Sequence, residues 1–192
     1  FRNERQGDAV YIHMSTQKNA LVTGGAGFIG GHMIDRLLAD GWRVTVVDDF
    51  SLGSREQIAS YKDHIRFFEK SITQDLSDVF RDTQYDAVFH IAALPRVQFS
   101  IKEPQKTHEA NINGTLNLLV HARDAGVKRF VFSSSSSLYG DQKILPITED
   151  AHPNPLSPYA LHKLVGEYYC QLFHSLYGME TVALRYFNVY GP

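Results

Sequence analysis

Thr23-Gly24-Gly25-Ala26-Gly27-Phe28-Ile29-Gly30 is the stretch on which the reading of this chain turns. It follows a short apolar run, Asn19–Thr23 (NALVT), that reads as a buried strand. It opens an amphipathic stretch, Phe28–Asp40, that reads as a helix closed by Gly41. Glycine permits backbone conformations and close approaches that a Cβ would block. A helix starting near Phe28 aims its free N–H groups and the positive end of its dipole at whatever sits in the turn, which suits a pyrophosphate. A glycine triplet alone is weak, but the strand before it and the helix after it supply the context that a dinucleotide-binding turn requires. Asp48 closes the next strand, 48 − 30 = 18 residues after Gly30. A carboxylate there accepts hydrogen bonds from ribose hydroxyls and repels a 2′-phosphate, which favours NAD over NADP.

Outward from this turn, apolar runs alternate with helix-length stretches. Arg43–Asp48 (RVTVVD), Ile65–Glu69, Ala87–Ile91 (AVFHI), Arg129–Ser133 and Thr181–Tyr186 read as strands. Asp75–Phe80 reads as a short helix, and Pro104–Ala125 and Pro158–Tyr177 as long ones. Pro104 lies in a first turn, and Gly126 and Gly178 stand just past two ends. Strands apolar on both faces, each followed by a crossover, predict an α/β fold: a doubly wound, Rossmann-like parallel sheet. Ligands in such sheets bind beyond the carboxyl ends of the strands.

Composition narrows the function classes. The chain has 192 residues, with 19 Lys+Arg against 21 Asp+Glu, for a formal net charge of −2. That balance argues against a nucleic-acid partner. No apolar run approaches the ~20 residues of a membrane span. One cysteine, Cys170, excludes an internal disulfide framework and a multi-cysteine zinc site. The nine histidines show no metal-ligand spacing, so no metal is expected, and His90 reads as a core residue. Phe1–His13 is polar and lacks a signal core, so a cytoplasmic setting is expected. Met14 reads as the natural start, residues 1–17 as an N-terminal extension, and the cofactor domain begins at Lys18.

Two further patterns sit where chemistry is expected. The fifth strand runs into Ser133-Ser134-Ser135-Ser136-Ser137-Leu138-Tyr139-Gly140, whose hydroxyls can face a ligand. In Tyr159-Ala160-Leu161-His162-Lys163, Tyr and Lys stand one helical turn apart. A phenol titrates near ~10, and bringing it to neutrality takes about 4 kcal/mol. A unit charge 4 Å away supplies ~1 kcal/mol in water and ~4 kcal/mol at an effective dielectric of 20. Lys163 can therefore acidify Tyr159 only in a partly desolvated cleft.

Taken together, these residues resemble the extended short-chain dehydrogenase/reductase family, and within it the NAD-dependent nucleotide-sugar 4-epimerases. The likeness covers Lys18 to Pro192. It rests on TGGAGFIG (Thr23–Gly30), VVDDFSLG (Val46–Gly53), HIAAL (His90–Leu94), NINGT (Asn111–Thr115), FSSSSSLYG (Phe132–Gly140), SPYALHK (Ser157–Lys163) and LRYFNVYGP (Leu184–Pro192). The resemblance implies that Gly24, Gly27, Phe28 and Ile29 line the pyrophosphate. It places Asp48 on the adenosine ribose with Asp49, Phe50, Ser51 and Gly53 beside it, and Ser71 and Ile72 near the adenine. Ile91, Ala92, Ala93, Asn111, Ser133, Lys163 and Phe187 complete the NAD contacts. Tyr159 would take the proton of the sugar 4-hydroxyl, with Ser135 on the same oxygen. Ser136, Ser137 and Asn188 would touch a UDP-sugar.

Three departures and one missing part qualify the likeness. Ser71 stands where relatives often carry Asp, and Pro95 where some epimerases carry Lys. Ser136-Ser137 replaces the Asp-Glu of sugar dehydratases, which argues against water elimination. The family's smaller C-terminal substrate domain lies beyond Pro192, so this chain is expected to bind cofactor with an incomplete substrate site. Apolar stripes at Ile112, Leu116 and Leu119, and at Leu161, Val165, Tyr168 and Leu172, fit burial on the sheet or a homodimer through the two long helices. The alternatives are a sibling nucleotide-sugar dehydratase, decarboxylase or reductase, and a non-catalytic NAD-binding module.

Overall fold

A computed structural model describes residues 17–192. The readings of Phe1–His13 and Met14 fall outside them. Six strands form one sheet: β1 (Asn19–Thr23), β2 (Arg43–Asp48), β3 (Ile65–Glu69), β4 (Ala87–His90), β5 (Arg129–Ser135) and β6 (Glu180–Tyr186), in the spatial order β3-β2-β1-β4-β5-β6. Every pairing is parallel, in registers such as Val22↔Val46 and Val22↔Phe89. The order reverses at the β1/β4 junction, which is where a doubly wound sheet opens a crevice.

Helices α1 (Phe28–Ala39) and α2 (Arg55–Ala59) cover one face. Helices α3 (Ser77–Phe80), α6 (Gly114–Asp124) and α7 (Pro158–Tyr177) cover the other. Two cores result. Ala20, Val22, Val44 and Val46 pack with Ile34 and Leu37 of α1. Leu21, Val88, Phe130 and Phe132 pack with Leu118 of α6 and Phe173 of α7. Neighbouring strand residues thus feed opposite cores, so the strands read as continuous apolar runs.

The expected strands are all present, with ends that differ. β5 runs on to Ser135 because Ser133, Ser134 and Ser135 pair with Leu184, Arg185 and Tyr186 of β6. The single helix expected over Pro104–Ala125 is three pieces: α5 (Pro104–His108), a π turn (Glu109–Asn113) and α6. Two short helices were not read from the sequence, α2 and α4 (Val97–Lys102), and a 3-10 turn, Ser136–Tyr139, follows β5. On β6, Thr181 donates to the Cys170 carbonyl on α7, while Val182 and Leu184 point to the α1 side, where they are exposed.

Candidate active site

At the carboxyl ends of β1, β4 and β5 lies a cleft of about 870 Å³. Its floor is the glycine turn. Gly24 has φ +74°, and a Cβ there would lie 2.6 Å from the Ala92 nitrogen. A Cβ on Gly30 would fall on the Gly24 carbonyl oxygen, so this position lets α1 sit against the turn. Gly27 occupies the N-cap of α1 and has no side chain to cap it, and no acidic residue stands in the first turn. The helix start therefore offers its amides and positive dipole end to a ligand, as a pyrophosphate requires.

Asp48 ends β2 beside this turn. Its Oδ2 accepts from the Ala26 amide at 3.0 Å and its Oδ1 from the Phe50 amide at 2.8 Å. Burial pushes its pKa up, against the pull of those two amides. Each oxygen keeps a second lone pair, so the carboxylate both fixes the turn and can still accept a ribose hydroxyl. Asp49, Ser51, Gly53, Ser71 and Ile72 line the same end of the cleft. Phe50 does not. At φ +55° its ring turns away to pack on Phe67 and under the Arg55 guanidinium, 4.2 Å from its centroid.

The wall beyond β4 is held from behind. His90 is buried between two hydroxyls, with Nδ1 2.8 Å from Thr23 Oγ1 and Nε2 2.9 Å from Thr115 Oγ1. Thr115 donates to the Asn111 carbonyl at 2.7 Å. Burial lowers the His90 pKa to about 3, with the Lys163 charge adding to the effect, so this linker stays neutral. The Ile91 and Ala92 amides reach Thr23, and Ile91, Ala92 and Ala93 line the cleft. Asn111, expected on the cofactor, is spent elsewhere. Its Oδ1 accepts from the Leu94 amide at 2.8 Å and its Nδ2 donates to the Leu94 carbonyl at 3.1 Å, which places it behind the wall. The π turn is the local device that brings this side chain to Leu94.

The third wall carries the polar chemistry. Ser133 to Ser137, Tyr159, Lys163, Phe187 and Asn188 all line the cleft, together with Gly24, Gly27, Phe28 and Ile29 across from them. Lys163 Nζ donates to the Ser133 carbonyl at 2.7 Å and lies 5.9 Å from the Tyr159 ring centroid. Ser135 Oγ is 2.7 Å from Ser137 Oγ and accepts from the Ser137 amide. Burial raises the Tyr159 pKa, and the Ser135 hydroxyl pulls it back down. This departs from the sequence expectation of a phenol acidified by Lys163. The ammonium is itself desolvated, its pKa lowered to about 8, and it is aimed at the strand backbone.

A buried network beneath these groups has no sequence signature. Glu167, a further helical turn along α7, accepts from Ser134 Oγ at 2.5 Å. It is gripped by Arg185 of β6 through Nε at 2.9 Å and through an Nη at 2.8 Å. Arg185 also donates to the Tyr139 hydroxyl at 2.9 Å. Its partners come from three separated segments, so only the fold could reveal it. Among the described residues no group of three or more His, Cys, Asp or Glu is placed to hold a metal, and no helix is long and apolar enough to cross a membrane.

Comparison with known proteins agrees with this geometry. The profile of the NAD dependent epimerase/dehydratase family matches residues 20–192. A UDP-glucose 4-epimerase of Mycolicibacterium smegmatis is 40% identical over 176 residues, covering 90% of this chain and 56% of that protein. A UDP-glucose 4-epimerase of Thermotoga maritima, solved with UDP-glucose, superposes with a TM-score of 0.87 at 41% identity, covering 91% of this chain and 57% of that one. The UDP-N-acetylglucosamine 4-epimerase of Methanobrevibacter ruminantium, solved with UDP-N-acetylmuramic acid, gives 0.86 at 39% identity, covering 92% and 56%. The Thermus thermophilus UDP-glucose 4-epimerase complex with NAD gives 0.85 at 38% identity, covering 91% and 56%. The chain thus spans a little over half the length of the relatives it matches. A Rossmann-like sheet, a glycine turn facing an acidic strand end, and a Ser/Tyr/Lys wall accompany that match, and the chain belongs to the NAD-dependent epimerase/dehydratase family.

Proposed function

We propose that this chain is the cofactor-binding part of a cytoplasmic, homodimeric enzyme that interconverts UDP-hexoses differing at C4. The observation that carries the reading is the meeting of Ser135, Tyr159 and Lys163 on one wall of a cleft whose opposite floor is the glycine turn. The residues fit NAD: the uncapped start of α1 suits the pyrophosphate and Asp48 a ribose. When bound, NAD supplies a hydride acceptor at the sugar carbon. Tyr159 takes the proton of the 4-hydroxyl, and Ser135 holds that oxygen while it is deprotonated. Lys163 orients the cofactor ribose, and a cationic ring lying nearby would supply the positive charge that favours the phenolate. Asn188 and the Ser136–Ser137 turn contact the sugar nucleotide.

The homodimer reading is supported by α7, where Leu161, Tyr168 and Leu172 are each about half exposed on the side away from the sheet. A lone buried thiol at Cys170 suits a reducing compartment. The deciding experiment supplies the complete protein containing this chain with UDP-glucose and UDP-N-acetylglucosamine. Conversion to the C4 epimers without net NADH or CO₂ is the expected result. Release of water, CO₂ or free NADH as the main outcome would assign a sibling reaction instead.

A further inference from the structure

The start of α7 leaves one backbone amide that its own sequence cannot satisfy. Ser157 is the N-cap, and its hydroxyl accepts from the Ala160 amide at 3.2 Å. The Ser157 carbonyl accepts from the Leu161 amide at 3.0 Å. Pro158 has no amide hydrogen to place. Within the helix the remaining donor of the first turn is the amide of Tyr159, and it is buried. Its partner is Ser100 Oγ at 3.1 Å, on α4, 59 residues earlier in the chain. Ser100 is fully buried, and its own hydroxyl hydrogen goes to the Val97 carbonyl at 2.7 Å. Its hydrogen is committed and the fully buried Ser100 does not line the cleft, so it has no part in holding a ligand. Val97, at the other end of this link, lines the cleft next to Leu94 and Pro95.

We infer that Ser100 is a positioning residue for Tyr159, a role that rests on the proposed use of Tyr159 as the proton acceptor. Ser100 fixes the height of the phenol against Ser135 and joins the segment leaving β4 to the first turn of the catalytic helix. Ser157 caps the same helix without touching the Tyr159 amide, so it serves as an internal control. Loss of either hydroxyl removes one capping hydrogen bond of the helix. Loss of the Ser100 hydroxyl alone unties the turn that carries Tyr159 into the cleft it shares with Ser135, the hydroxyl that works against the upward push of burial on the phenol pKa.

The test uses the complete protein containing this chain, saturated with NAD. Amide exchange is measured residue by residue, and the Tyr159 phenol is titrated by NMR of ring-labelled tyrosine, with Tyr159→Phe for assignment. In Ser100→Ala the Tyr159 amide exchanges at least about tenfold faster and the phenol midpoint moves up by about half a pH unit or more, on the scale at which one pH unit is a tenfold change. In Ser157→Ala the Ala160 amide exchanges faster and the phenol midpoint stays. Equal movement of the midpoint in both variants, or in neither, overturns the inference. If Ser100→Ala does not fold, Ser100→Thr and Ser100→Val replace it, since they match in shape and differ in the hydroxyl. Parent-like behaviour for Thr and a raised midpoint for Val is expected, and identical behaviour overturns the inference. Failure of the parent chain to bind NAD would instead refute the reading of the cleft. The exchange comparison without NAD would then decide the Ser100 assignment, which falls if Ser100→Ala leaves Tyr159 exchange unchanged.

Discussion

Lys163 Nζ donates to the carbonyl of Ser133 at 2.7 Å, so the one ammonium at the catalytic wall is held by strand backbone and not by a carboxylate. With no counter-charge to offset burial, its pKa falls from 10.5 to about 8. That places a titrating group at the centre of the proposed chemistry.

Stability should therefore rise with pH above about 8. Between about 8 and 10 the unfolded chain holds a proton on this lysine that the folded chain has released, so alkali favours the fold. The penalty for burying the charge is fully present below about 8 and relieved by about 10.5, and it amounts to about 3 kcal/mol. Above 9 the Cys170 thiol, pushed by burial to about 12, and above 10 the raised pKa of Tyr159 act in the opposite sense and flatten the curve. Urea unfolding of the parent and of Lys163→Met at pH 7.5 to 9.5, a window set by the Lys163 shift, should show the rising slope in the parent alone.

His90 produces a slope in acid. Its folded pKa is about 3 against an ordinary 6.5, so below 6.5 the unfolded chain takes up a proton that the folded chain refuses. Stability should fall by about 2 kcal/mol between pH 6.5 and 5, following from 1.36 kcal/mol per pH unit. His90→Asn should start less stable, having lost a bridge between Thr23 and Thr115, but should lack that component of the acid slope. Denaturation midpoints at the two pH values measure the difference.

Tyr159→Phe removes the proton acceptor and leaves the ring in place. Turnover of UDP-hexose by the complete protein should drop by about 10² to 10⁴, the usual contribution of a general base. NAD affinity, measured by calorimetry, should change by less than about threefold, a difference of under 1 kcal/mol. Wild-type turnover in this variant would show that another group accepts the proton.

Gly24 and Gly41 separate two effects of the same substitution. Both have positive φ, +74° and +77°, but an alanine Cβ at Gly24 meets the Ala92 backbone while one at Gly41 meets nothing within 4 Å. Gly41→Ala should cost about 1 kcal/mol from backbone strain alone. Gly24→Ala should cost more than about 2 kcal/mol and also weaken NAD binding, because the glycine turn must move away from β4. Chemical denaturation and NAD titration of the two variants provide the comparison.

Glu167 is the buried partner of a more accessible arginine, with side-chain exposures of 6% and 25%. Glu167→Ala should destabilise by about 3 kcal/mol, since it strands the Arg185 charge and the Ser134 hydroxyl together. Glu167→Gln keeps an acceptor for both and should lose less. Thermal melts of the two variants would show the order, and equal losses would show that the charge of Glu167 carries the whole effect and the retained acceptor none of it.

What the sequence made legible is what period and punctuation encode. The strands stood out because both faces of a covered parallel sheet are apolar, and the glycine turn because it sits between a strand and a helix. Helices α2 and α4 were missed because five and six residues are too few to show a helical period. The serine run was expected to leave the sheet after Ser133, but pairing with β6 carries it to Ser135, and a polar strand end has no apolar alternation to announce it. Within the site, most of the residues expected on cofactor or substrate line the cleft. Those that hold it from behind left no such signal: Ser100, Glu167 and Arg185 went unread, and the Asn111 side chain, expected on the cofactor, is bonded to the Leu94 backbone. Each acts through a partner 17 or more residues away, a relation that no local pattern records.

The π turn at Glu109–Asn113 has a consequence for how chain length can vary here. A π turn is one residue more than an α-helix needs, and flanking α segments keep their phase when it closes. Deleting one codon within it would leave Leu118 and Leu119 in the core while withdrawing the amide that grips Leu94. Such a shortened protein should fold and lose its hold on dinucleotide, which makes this helix a place where a single-residue indel separates architecture from ligand capture.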